Sequence, residues 1–317
     1  MNRIALVTCY IGSLPDYFQY FLDSAILNPD IDFYIFNSHC SKPETSSNVK
    51  IIPLTLEEFN NLASQKLELS INLTDGYKLC DLKPAYGVIF EDYLKCYDFW
   101  GHCDIDVIWG RISHFLTEAI LHDFDVIGTK RTNLVGHFAL YRNSGITKDL
   151  FRQTDDYKNV FIDKDNYYYG FDETCRRWGE YHPLEELRDS SQMVSISDIA
   201  MDLEAKQKLK VYRQNLMREY PDPFCFTYRD GRFTDLLNDS EEFMYFHLVH
   251  LKGNWKFFIP QMTRLPSEFA VVSGGIIPGA TSNFLVVFRW KIAKMLIAIE
   301  HCSWRVKEIL NRLIARA

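Results

Sequence analysis

No two cysteines in this 317-residue chain are spaced C-x-x-C, which removes zinc knuckles and dithiol redox motifs from consideration. The eight cysteines are scattered singly, and a chain of this length needs no disulfide staples, so reduced and mostly buried thiols are expected. Basic residues are in short supply. The chain has 35 Lys+Arg against 42 Asp+Glu, a net charge of −7, and so lacks the footprint for tracking a phosphate backbone, which argues against nucleic acid as a partner. A glycine- and arginine-rich diphosphate loop near the N-terminus is also missing. Residues 1–16 hold one basic residue and then an alternating β-branched run that meets a turn; this reads as a first core strand and not as a signal peptide, and a cytoplasmic address is the expectation. What the chain does have is 47% apolar and 15% aromatic residues, the composition of a folded protein with a large core.

Residues 4–9 read as a strand, and residues 15–27 carry Tyr17, Phe18, Phe21, Leu22, Ala25 and Ile26 at helical spacing behind a first-turn proline. Residues 33–37 and 49–54 read as further strands, and Thr55 caps a helix over 56–63. This succession predicts an α/β fold, a mostly parallel central sheet flanked by helices, whose ligands gather at the carboxyl ends of the strands. Pro84 is suited to start a helix running to about Tyr93, and residues 97–103 form an apolar strand. Strands are also expected at 125–128, 137–141, 196–199, 224–228 and 243–249, with a tight turn at Asp230-Gly231. Residues 148–189, polar and aromatic, read as an irregular excursion that could cover a site.

Chemistry concentrates where the 97–103 strand ends in Asp104-Ile105-Asp106. An Asp-x-Asp pair alone is a weak signal, but here it is held between a buried-looking strand and Val107-Ile108-Trp109. Alternate residues of an extended chain point the same way, and two hard oxygen ligands on one side suit Mg²⁺ or Mn²⁺ bound together with phosphate oxygens. Further ligands could come from the late segment with His247, His250 and Lys252, since strand termini of one sheet can converge. Imidazole suits Mn²⁺ moderately, and an ammonium would neutralise a leaving diphosphate.

Lys78, Asp81, Lys83 and Pro84 ahead of a helix, Trp100 to Asp106, Gly136 to Asn143, Gly170 to Glu173, and the late His247 and Lys252 together resemble metal-dependent nucleotide-sugar glycosyltransferases of the GT-A fold. More narrowly, they look like bacterial transferases found with capsule and lipopolysaccharide O-chain (O-antigen) synthesis, some of which are thought to move galactofuranose. The resemblance covers roughly residues 1–260. It implies a hexosyltransferase that takes a UDP-sugar donor and a surface glycan or lipid-linked glycan acceptor, with Mn²⁺ or Mg²⁺ as cofactor. Asp106 would be the main metal ligand, Asp104 would contact metal or ribose, His247 would complete the shell, and Lys252 would contact the diphosphate. Thr8, Tyr10 and Asn37 would line base and ribose, while Asp81 and Lys83 would face the nucleotide or donor sugar, the alternative being a helix-start motif with a local ion pair. An inverting transfer needs a carboxylate to take the acceptor's proton; Asp172 and Glu173 are the candidates, near the aromatic faces of Tyr168, Tyr169 and Trp178. Gly136 and His137 would let the backbone approach the donor sugar.

Residues 281–317 hold seven basic and two acidic residues, a net +5 that leaves −12 on residues 1–280. Phe288, Ile292, Met295, Ile299, Cys302, Val306, Ile309 and Leu313 recur at alternating spacings of four and three, the stripe of an amphipathic helix. The apolar run 284–299 is shorter than the ~20 residues of a membrane span and holds three cations. A basic helical tail lying on an anionic membrane surface is one expectation, which would make the protein peripheral on the inner face of the cytoplasmic membrane. The other is docking on its own domain or on a second copy, giving a homodimer. The expected organisation is a transferase domain over 1–265, a linker over 266–280 and the tail. Competing functions are nucleotidyl or phosphosugar transfer, and a non-catalytic glycan- or nucleotide-binding subunit.

Overall fold

The computed structural model describes residues 2–279, apart from 41, 43, 47, 169, 174–192, 220–224, 238–240, 250 and 255–256. The N-terminal run forms β1 (Ile4–Tyr10), which leads through the helix Phe18–Ile26 into β2 (Ile31–Asn37), paired in parallel with Ile4 opposite Ile31. Phe33 and Ile35 of β2 sink into one apolar cluster, Tyr34 and Phe36 into another. Both faces are therefore covered, as a near-continuous apolar run requires. β3 (Glu44–Ser46) and β4 (Val49–Pro53) extend this edge. Thr55 then starts the helix Leu56–Leu67 as expected: its hydroxyl accepts from Glu58 N at 3.2 Å while the Glu58 carboxylate accepts from Thr55 N at 2.7 Å, a reciprocal cap.

On the other side of β1 lies β5 (Phe99–Cys103), parallel to it. Beyond come β8 (Phe138–Arg142) and β7 (Val126–Gly128), joined antiparallel, and then β9 (Val211–Arg213). The eight strands run β3-β4-β2-β1-β5-β8-β7-β9, with parallel pairing from β4 through β5. A three-stranded sheet of β10 (Met217–Arg218), β14 (Tyr245–His247) and β6 (Val107–Trp109) receives the chain as it leaves β5. A five-stranded antiparallel sheet holds β13 (Glu241–Phe243), β12 (Arg232–Asp235), β11 (Cys225–Arg229), β15 (Glu268–Val272) and β16 (Gly275–Pro278).

Several expectations change. Residues 196–199 are not a strand but open the helix Ile196–Ala205, because Ser195 and Asp198 close a capping box in which Ser195 Oγ donates to Asp198 at 2.7 Å. Residues 266–280 are not a linker: β15 and β16 pair as a hairpin, with β15 also on β11. The helix from Pro84 is broken up, with Pro84 inside a 3₁₀ segment, Gly76–Ala85, followed by single turns at Tyr86–Ile89 and Glu91–Leu94. The 148–189 excursion contains the helical pieces Leu150–Gln153 and Asp156–Ile162. The 243–249 strand divides between β13 and β14, and Asp230-Gly231, both at positive φ (46° and 80°), turns β11 into β12. His250, Tyr169, Trp178 and the tail lie outside the described residues. No helix among the described residues is long and apolar enough to cross a membrane.

Candidate active site

The change of sheet after β5 builds the site. Asp104 and Asp106 fall between β5 and β6, and β6 pairs antiparallel with β14 so that Val107 faces His247. Leu248 N donates to Asp106 O at 2.9 Å. A residue 141 positions later in sequence is thereby fixed beside the Asp pair, and ligand atoms of Asp104, Asp106 and His247 all lie within 4.8 Å of one another. Asp106 is 3% exposed. Its Oδ2 accepts from Lys252 Nζ at 2.6 Å, and its Oδ1 lies 3.4 Å from His247 Nε2. Burial alone would raise the Asp106 carboxyl, but His247 and Lys252 outweigh it and hold the group well below the usual carboxylate range. Burial likewise depresses His247, yet Asp106 and Glu219 win and raise it to about 9. Lys252 rises too, its loss of solvent outweighed by Asp106.

A cavity of about 340 Å³ opens beside these groups, lined by Thr8 and Tyr10 of β1, Tyr17, the 3₁₀ segment, Asp104, Asp106, His247 and Lys252. It sits at the carboxyl ends of β1 and β5, where such sheets collect ligands. Thr8 spends its hydroxyl proton on Cys103 O at 2.6 Å, tying the ends of β1 and β5 together. Lys83 reaches in from the 3₁₀ segment. Its Nζ pairs with Asp104 Oδ1 at 2.7 Å and donates to Gly136 O at 2.9 Å, with Asp172 Oδ2 3.7 Å away. Burial disfavours the ammonium, but Asp104, Cys80 and Asp172 raise it well above its ordinary value.

Four expected residues lie outside this cavity. Asn37 lies outside this cavity: its amide donates to Tyr10 O and Gly12 O at 2.8 and 2.9 Å, and its Oδ1 accepts from His39 N and Cys40 N. Its carboxamide is consumed in closing the loops after β1 and β2. Asp81 faces away as well, accepting from Lys78 Nζ at 2.6 Å and Tyr168 N at 3.0 Å; its ion pair is with Lys78 and not with Lys83, which does enter the site. Asp172 and Glu173 line no part of the cavity. Asp172 stands behind Lys83, where burial, opposed by Lys83, pushes its carboxyl up to about 7. Glu173 Oε1 accepts from Gly136 N at 3.0 Å. Both carboxylates, the candidates for the acceptor base, thus stand behind Lys83 and Gly136. Gly136 packs closely on them, since a Cβ there would come within 2.2 Å of Asp172 Oδ2.

The residues present fit a divalent cation. His247 Nε2 is buried and completes no hydrogen bond, and two carboxylates with one imidazole form an oxygen-rich donor set suited to Mn²⁺ or Mg²⁺. Sequence reasoning missed Tyr17, Lys130 and Glu219. Tyr17 belongs to the turn before a helix read only for its apolar stripe, and Lys130 and Glu219 sit in no motif, so only the fold reveals them.

A family model described as a family of unknown function, DUF6625, matches residues 6–279. The chain belongs to this family. The DUF6625 match takes in the β15–β16 hairpin and stops before the basic tail. No curated protein matches the chain. Solved structures with similarity to it include the apo-form glycosyltransferase GlyE of Streptococcus pneumoniae TIGR4, at 12% identity over 67% of this chain and 45% of that one, TM-score 0.35. Galactosyltransferase LgtC in complex with donor and acceptor sugar analogues is similar at 13% identity over 52% and 66%, TM-score 0.31. Mouse xyloside xylosyltransferase 1, apo form, is similar at 8% identity over 69% and 87%, TM-score 0.38. The chain thus spans under half of GlyE and just under two thirds of LgtC.

Proposed function

We propose that this DUF6625 chain is a divalent-metal-dependent glycosyltransferase of the GT-A type that moves a hexosyl unit from a UDP-sugar to a glycan acceptor. The observation that carries the reading is the convergence of Asp104, Asp106, His247 and Lys252 at one end of a cavity roofed by the 3₁₀ segment. Asp104, Asp106 and His247 would hold Mn²⁺ or Mg²⁺. When bound, that cation supplies Lewis-acid stabilisation of the charge on a leaving nucleoside diphosphate. Lys252 keeps an ammonium at the same place, Lys83 fixes Asp104 through its short ion pair, and Thr8 and Tyr10 form the wall available to a nucleoside. The resemblance extends the proposal to galactofuranose as the sugar and to capsule or O-chain glycans as acceptors. The basic charge of residues 281–317 extends it to the inner face of the cytoplasmic membrane.

The test is a screen of UDP-sugars, UDP-galactofuranose among them, with and without Mn²⁺. Metal-dependent turnover by the wild type and its loss in Asp106→Ala, with the thermal melt retained, are expected. Full turnover by that variant would refute the metal role.

A further inference from the structure

Glu219 follows β10 and belongs to no motif, yet the three-stranded sheet gives it a defined place. β10 runs parallel to β14 with Arg218 opposite Phe246, and β14 runs antiparallel to β6 with His247 opposite Val107. Glu219, just past the end of β10, and Asp106, just before β6, therefore flank His247 at the end of β14, and the imidazole is gripped between two carboxylates. His247 Nδ1 lies 3.2 Å from Glu219 Oε2, and His247 Nε2 lies 3.4 Å from Asp106 Oδ1. The Glu219 carboxylate is itself pinned, its Oε1 accepting from Lys130 Nζ. One face of the imidazole is walled by His137, whose ring centre is 4.0 Å away. His137 is held in turn by Tyr245 OH at 2.9 Å from its Nδ1, with Thr129 Oγ1 2.6 Å from the same hydroxyl.

We propose that Glu219 is a positioning residue for His247: it accepts a hydrogen bond from Nδ1–H and so fixes the ring orientation that presents Nε2 to a cation held together with Asp104 and Asp106. The inference rests on the metal reading of that site. Histidine ligands commonly donate their second ring N–H to a carboxylate in this way, and loss of the partner costs about 10–100-fold in metal affinity. The rival reading makes Glu219 a ligand of its own, since atoms of His137, Glu219 and His247 also lie within 4.8 Å of one another. A cation there would draw on the charge of Glu219, whereas an orienting role draws on a correctly placed acceptor.

Mn²⁺ binding to the full chain in the presence of UDP, followed by the electron paramagnetic resonance of free Mn²⁺, separates these. Glu219→Ala should weaken binding by about 10–100-fold. Glu219→Gln, whose amide oxygen can still accept from Nδ1, should recover most of the affinity without the charge. Glu219→Asp keeps the charge but draws the acceptor back, and should bind more weakly than Gln. Wild-type affinity in the Ala variant overturns the inference, as does the reverse order of Gln and Asp, which would make Glu219 a ligand. A wild type that binds no Mn²⁺ removes the metal reading of the site and this inference with it.

Discussion

The Lys78–Asp81 pair gives a sharp test of how the cavity roof is held. Lys78 Nζ lies 2.6 Å from Asp81 Oδ2, with side chains 1% and 5% exposed. The ammonium also donates to Asn166 O at 2.7 Å and sits 4.6 Å from the centre of the Tyr168 ring, while Asp81 accepts from Tyr168 N. Lys78→Met preserves the stem and removes the charge, leaving a buried carboxylate with one amide donor. Breaking a buried pair from one side costs about 3–5 kcal/mol, a large share of the roughly 5–15 kcal/mol that stabilises a native chain. At roughly 2–4 °C per kcal/mol for larger domains, the melting temperature should fall by about 6–20 °C. Lys78→Met/Asp81→Asn should recover most of the loss, because Asn still accepts from Tyr168 N and carries no charge. Thermal unfolding followed by circular dichroism measures both. A loss under about 1 kcal/mol, the range of an exposed pair, or a double variant no better than the single one, would refute the reasoning.

Gly136→Ala should destabilise the chain by about 1–3 kcal/mol through overpacking, because its Cβ meets Asp172 Oδ2 at 2.2 Å; an unchanged melt would show that Asp172 yields freely. Asp172 itself carries a pH signature. Its folded pKa of about 7 lies above the unfolded carboxyl value near 3.9, so its contribution to stability is complete below about pH 4 and is lost as pH rises through about 7. Asp172→Asn should therefore melt progressively higher than wild type between pH 5 and pH 8, and a constant difference across that range contradicts the burial argument. Deleting residues 281–317 should release the protein from anionic vesicles in a flotation assay, whereas unchanged binding would favour the docking alternative for the tail.

Where local chemistry and tertiary structure agree, the sequence was readable. The β1–helix–β2 block and the Thr55 cap follow from periodicity and capping alone. The Asp pair was placed correctly at a strand end, and its partner His247 was named although the antiparallel β6–β14 register that joins them is a long-range fact. The misread helix Ile196–Ala205 is entered through Val194-Ser195-Ile196-Ser197, an apolar–polar alternation that imitates a strand; Ser195 and Asp198, three apart, were the signal that decides it. Asn37 and Asp81 have ligand-like chemistry, but their hydrogen-bond capacity is used by neighbouring backbone and by Lys78, which spacing does not reveal. Residues 266–280, expected as a linker, instead supply two strands of the five-stranded sheet, with Phe269, Val271 and Ile276 buried. Glu219 illustrates the opposite limit, a single carboxylate whose significance exists only once β10 lies beside β14.

The most direct measurement is anomalous diffraction at the manganese edge from crystals soaked with Mn²⁺ and UDP. One strong peak bound by Asp104, Asp106 and His247 is expected, with the UDP diphosphate against it and Lys252. A nucleotide bound with no manganese at those side chains, or a peak elsewhere in the chain, would contradict the metal reading of the site.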